Sequence, residues 1–135
     1  MSDKKTAAMP AAGDPGRATL WRVTDGGRTP LGTLILARSL RERTRGLLGR
    51  DGLPPGEFML LDPCGSIHTF GMRFAIDVLF LDRDNRVVRV APDVAPGRMR
   101  FGGLRARRTI ETASGWLDSK SLFGAFVEWQ ADQRQ

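Results

Sequence analysis

Apolar and polar positions along the chain fall into short β-type runs rather than long helical stripes. Thr19–Val23 and Leu31–Leu36 are two such runs. They are separated by Thr24-Asp25-Gly26-Gly27-Arg28, whose Asp-Gly pair supplies the positive backbone angles of a hairpin turn. Ser39 stands three residues before Glu42, the capping-box spacing, and Leu40, Thr44, Leu47 and Leu48 follow at helical intervals. A short helix is therefore expected there, ending at Gly49 and the Gly52–Gly56 stretch. Phe58–Leu61, closed by Asp62-Pro63, and Ala75–Leu81, closed by Asp82-Arg83-Asp84-Asn85 before Val87–Val90 resumes, read with that last run as three core strands. Ala91–Gly103 carries two Pro and three Gly with little periodicity and is expected to be a long loop. Thr109–Thr112 is a further strand, Ser114–Leu122 a turn or short helix, and Ala125–Trp129 a final strand. The sum is a mainly β fold, an antiparallel sandwich or open barrel with one or two short helices.

Length limits the chain to one domain of 135 residues, with 41% apolar and 27% charged residues, an ordinary globular composition. Residues 1–17 are small, polar and Pro/Gly-bearing and are read as a flexible tail, leaving 18–135 as the folded domain. Lys4 and Lys5 resemble the start of an export signal, but no apolar stretch follows them, so a cytoplasmic location is expected. No run approaches the about 20 apolar residues of a membrane-spanning helix. A single cysteine precludes an internal disulfide.

The net charge is +6, from 21 basic and 15 acidic residues, and Lys4, Lys5 and Lys120 are the only lysines. Such an arginine-rich balance suits anionic partners and equally an ordinary solvated surface. Arg98–Arg108 holds five Arg, Phe101 and no acid, the most nucleic-acid-like segment. No recognised nucleic-acid motif accompanies it, so nucleic acid is disfavoured as a partner.

Polar residues inside apolar runs are the candidates for chemistry. Asp77 interrupts Ala75–Leu81, where an ionised carboxylate needs a partner, for which Arg73, Arg45 and His68 are candidates. Glu111 interrupts Thr109–Thr112 in the same way. His68, the only histidine, follows Cys64 in a Gly/Ser-bearing stretch and could serve as an acid/base or as activator of the Cys64 thiol. Each of these residues also has a purely structural reading. Two potential ligands fall short of a zinc site, so no metal or cofactor is expected.

The run His68–Asp82, with Arg45-Gly46-Leu47-Leu48-Gly49-Arg50, Phe58-Met59-Leu60 and Ile110-Glu111…Gly115, resembles the uncharacterised family known as domain of unknown function 192. The resemblance spans about Leu34 to Gly115. It implies a jelly-roll-like β domain with a packed helix, found in bacteria and archaea, and no established activity. Many members are exported or membrane-tethered, and where many carry a bulky aromatic before the motif's Met this chain has Gly71.

The functional expectation is non-catalytic binding of a small polar or anionic ligand, saccharides included. The pocket would lie near His68–Asp77 and be lined by His68, Asp77, Glu111, Arg45, Arg73 and Cys64. The alternatives are a small hydrolase-like enzyme using His68, Asp77 and Cys64, and a protein- or nucleic-acid-interaction module using Arg98–Arg108. Oligomeric state is not encoded in any recognisable pattern.

Overall fold

A computed structural model describes residues 16–36 and 51–130. The expected helix from Ser39 and the Arg45 motif lie outside the described residues. Among the described residues there are nine strands: β1 (Arg17–Thr24), β2 (Gly27–Leu36), β3 (Glu57–Leu61), β4 (Ser66–His68), β5 (Ile76–Leu81), β6 (Val87–Val94), β7 (Met99–Phe101), β8 (Arg108–Ala113) and β9 (Phe126–Glu128). A 3₁₀ turn, Ser119–Leu122, is the helical element among the described residues. The fold is mainly β, as the run pattern indicates.

Seven strands form one sheet in the order β9-β1-β2-β3-β8-β5-β6, and β4 and β7 form a separate two-stranded ribbon. The Asp25-Gly26 turn closes the β1–β2 hairpin, with Thr24 opposite Gly27. Pro30 sits where β2 pairs on one side only, because β3 joins β2 from Thr33 onward, an edge position of the kind that tolerates proline. The β2–β3 pair is parallel, unlike its neighbours. It needs a crossover connection, and residues 37–56 supply the length. At the far end, β9 also reaches the start of β6: Arg86 bridges Phe126, and Val87 N–H donates to Ala125 O at 2.8 Å. The two edges of the sheet thus meet at one corner, giving an incompletely closed barrel.

Two apolar layers follow from strand alternation. Leu20, Leu34, Phe58, Leu79, Leu81, Ile110 and Val127 fill the side enclosed by the curl. Met59, Ile76, Val78, Phe80 and Val94 face the other side, where Ile67, Met72 and Ala106 from the ribbon and its flanks cover them. Phe58 and Phe80 are fully buried, each contributing roughly 1.5–3 kcal/mol of transfer free energy. Phe58 also meets Trp116 edge to face at 5.5 Å.

The segment expected to be a long loop, Ala91–Gly103, is instead mostly strand: β6 runs on to Val94, and Met99–Phe101 forms β7. Pro92 and Asp93 occupy a bulge opposite Asp77, between the pairs Ile76↔Val94 and Val78↔Ala91, so the proline breaks no ladder. Ser66–His68, expected to be loop, pairs with β7. Gly102 explains how closely this ribbon seats: a Cβ there would lie 2.4 Å from the Phe80 ring.

Candidate binding site

Register decides where the buried carboxylates point. Asp77 lies opposite Thr112, and Val78 lies opposite Glu111. Val78 faces the ribbon-covered layer, and so does Met59, the other cross-strand partner of Glu111. Asp77 belongs with Leu79 and Leu81, which face the enclosed side. Side chains alternate along a strand, so Asp77 and Glu111 point to opposite faces of the sheet. Both are buried, Glu111 completely.

The Asp77 carboxylate has a structural task. Its Oδ1 accepts the Asp93 backbone N–H at 2.7 Å. Asp93 has φ +52°, a left-handed conformation that costs a non-glycine residue, and it occupies the β6 bulge. The Asp93 carboxylate in turn accepts the Ser114 hydroxyl at 2.9 Å. Of the partners expected for Asp77, Arg73 is exposed and reaches Asp51 at 3.5 Å, while Arg45 lies outside the described residues.

His68 occupies a third surface. In β4 it is exposed while its neighbour Ile67 is buried, so the imidazole stands on the outer face of the ribbon. Its ring stacks on Phe70 with centroids 5.2 Å apart, and its Nδ1 accepts the Phe70 N–H at 3.3 Å. Cys64 is half-buried, and its thiol donates to Ser66 O at 3.0 Å. Asp77 in the enclosed layer, Glu111 beneath the ribbon and His68 outside it cannot line one pocket. The expected convergence of these three is therefore not formed, because intervening sheet and ribbon backbone separates them.

Thr69, which sequence reasoning passed over, organises the ribbon. Its hydroxyl donates to Ala95 O at 2.7 Å and accepts the Arg98 N–H at 2.9 Å. Its N–H donates to Arg98 O at 2.8 Å, and its carbonyl accepts the N–H groups of Met72 and Gly97. No sequence signal marks a threonine that becomes fully buried in this way.

The arginine segment is ordered by its own backbone. Arg100 Nη1 donates to Met99 O at 2.7 Å, Arg89 Nη1 to Phe101 O, and Arg107 Nη1 to Leu104 O at 3.0 Å. Arg108 pairs with Asp62 at 2.9 Å. The side chains of Arg98 and Arg105 make no hydrogen bond or ion pair with described residues.

Two surface cavities are lined wholly by described residues. One, of about 350 Å³, is bounded by Arg86, Val87, Val88, Gly102–Arg105, Phe123 and Gly124. The other, of about 310 Å³, lies beside it against Asp82–Asp84, Leu104, Arg105 and Arg107. Neither is lined by His68, Asp77 or Glu111. The first has no acidic residue in its wall. Arg86 spends its Nε on Gly124 O at 3.2 Å, leaving both terminal nitrogens, and Arg105, which lines both cavities, makes no side-chain bond with a described residue. Phe123, 65% exposed, and Leu104, 88% exposed, form its apolar rim. Among the described residues no group of three or more His, Cys, Asp or Glu could hold a metal ion, and no helix is long and apolar enough to cross a membrane.

The DUF192 family, described as Uncharacterized ACR, COG1430, matches residues 22–125. The chain belongs to that family. As a DUF192 protein it is also 43% identical over 65 residues to the UPF0127 protein PH1112 of Pyrococcus horikoshii. That match covers 47% of this chain and 56% of the relative, so it spans about half the length of each. Two solved structures share the DUF192 chain's fold. A Novosphingobium aromaticivorans protein of unknown function superposes with TM-score 0.71 at 22% identity, covering 90% of this chain and 94% of its own. A Sinorhizobium meliloti protein described as a candidate transcription regulator superposes with TM-score 0.70 at 20% identity, covering 84% and 93%. At such identities the likeness concerns the fold alone.

Proposed function

We propose that this DUF192 domain is a non-catalytic binding module for a small anionic ligand, held in the cavity between Arg86 and Arg105. One observation carries the reading: two guanidinium groups with unspent donors border a cavity whose wall contains no carboxylate. Arginine forks bind carboxylate or phosphate bidentately, and such a pairing is stronger than a neutral hydrogen bond. A volume of about 350 Å³ falls within the range of small-molecule sites, roughly 300–1,000 Å³. Phe123 and Leu104 at the rim favour a ligand with an apolar body behind its anionic head. The site draws on the arginine segment rather than on the His68–Asp77 surroundings.

The hydrolase reading has less support. It needs His68, Asp77 and Cys64 within mutual reach, whereas His68 is bonded to the Phe70 amide, Asp77 to the Asp93 amide and Cys64 to the Ser66 carbonyl.

Calorimetric titration with phenyl phosphate tests the proposal. Saturable binding is expected, tighter than for inorganic phosphate, with Arg105→Ala weakening it about tenfold, the loss of one charged hydrogen-bonding partner. His68→Ala should leave it unchanged. No binding, or binding indifferent to Arg105→Ala, would overturn it.

A further inference from the structure

The ribbon's outer face is unaccounted for by the cavity. Register places Ser66 opposite Phe101 and His68 opposite Met99, so these four side chains share one face. Phe101 is 57% exposed, Met99 67%, and Phe70, stacked on His68, 51%. Large apolar side chains left in solvent on adjacent positions mark an interaction surface rather than ordinary surface scatter. The face is also firm, because Ile67 is buried beneath it and Thr69 fastens β4 to the segment before β7.

Arginine borders it on the β7 side. Arg100, opposite the buried Ile67, belongs to the ribbon's other face, whereas Arg89 donates to the Phe101 carbonyl with further N–H groups unspent and the exposed Arg98 makes no side-chain bond with a described residue. Residues 63–76 and 94–110 contain no acid at all. A partner here must be anionic and must offer flat apolar surface. The polar Ser66 and His68, alternating with the rings and Met99, suit a partner whose flat groups carry hydrogen-bonding edges. Acyl chains carry none.

From this juxtaposition we infer that the outer face of the β4–β7 ribbon is a stacking platform for single-stranded nucleic acid. Unpaired bases would lie on Phe101 and on the His68–Phe70 pair, and phosphates would contact Arg98 and Arg89. Base–aromatic stacking combined with a cationic border is the general physics of sequence-tolerant single-strand binding. A duplex keeps its base faces inside its own stack and cannot use the rings.

Fluorescence anisotropy of a labelled oligouridylate dodecamer tests this at about 50 mM salt, where phosphate contacts are strong. The single strand should bind, while a duplex of equal length and vesicles of anionic lipid should bind more weakly. Phe101→Ala and Phe70→Ala should each weaken binding about fivefold or more without changing its salt dependence. Arg98→Ala should lower the slope of log affinity against log salt by about 0.7. All three side chains are exposed, so the variants should keep the wild-type melting transition. Arg105→Ala separates this platform from the cavity: it should weaken phenyl phosphate binding about tenfold while sparing the aromatic contribution to oligonucleotide binding. Absent binding at low salt, equal affinity for duplex, stronger binding to vesicles or to an acidic peptide, or indifference to Phe101→Ala would each overturn the inference.

Discussion

The Asp77 carboxylate holds the Asp93 amide at 2.7 Å, pinning a left-handed residue in the β6 bulge. A buried carboxylate engaged with neighbouring backbone is a structural cap, and removing it leaves the Asp93 N–H without its acceptor. Asp77→Ala should therefore destabilise the domain by about 1–3 kcal/mol, and Asp77→Asn, which keeps an acceptor oxygen, by less. Urea unfolding measures both. Full stability of Asp77→Ala would return the carboxylate to a functional role.

Thr69 joins β4 to the turn before β7 through both faces of its hydroxyl. Thr69→Val keeps the shape and loses both bonds, leaving the Arg98 N–H without its side-chain acceptor. A loss of about 1–3 kcal/mol is expected. Hydrogen exchange at the Arg98 and Gly97 amides should accelerate more than exchange in β5 or β8. Uniform acceleration would mean that the ribbon does not open separately.

Gly32 lies where β2 presses against the loop before β3. A Cβ at this position would stand 2.2 Å from Gly56 O, a contact with backbone that no rotamer relieves. The neighbouring Thr33 N–H donates to that same carbonyl at 2.9 Å. Gly32→Ala must push β2 from β3 and should lower stability by more than the roughly 1 kcal/mol typical of point substitutions. Thermal melts of Gly32→Ala beside Gly26→Ala, where a Cβ meets nothing within 4 Å, isolate the steric cost.

Strands buried on both faces were legible in the sequence. Phe58–Leu61 and Ile76–Leu81 announce themselves because burial on both faces demands mostly apolar residues, broken in the second only by Asp77. That same continuity hides which face each side chain takes. Asp77 and Glu111 look equivalent in their runs, and only the pairing of β5 with β8 reveals that they diverge. The parallel β2–β3 pair depends on a distant crossover and leaves no local mark. Strands β4 and β7, three residues each among Gly, Ser and Arg, exist through mutual pairing and the Thr69 contacts, which no periodicity records. The arginine segment was visible as charge. Its cavity was not, because Arg86, Phe123 and Gly124 reach it from elsewhere in the chain.

Cys64 offers a check on the non-catalytic reading. Its thiol is half-buried and donates to Ser66 O, with His68 engaged by Phe70. Iodoacetamide should label it much more slowly in the folded protein than in urea. Rapid labelling of the folded protein, slowed by His68→Ala, would instead reveal an activated Cys–His pair.

Amide chemical-shift mapping of isotope-labelled protein during a phenyl phosphate titration tests the anion cavity most directly. The cavity predicts saturable shifts concentrated at Val87, Val88, Gly102, Gly103, Leu104, Arg105 and Gly124, moved to about tenfold higher ligand concentration by Arg105→Ala. Shifts centred instead on Cys64–His68 and Asp77, or no saturable shifts at all, would contradict it.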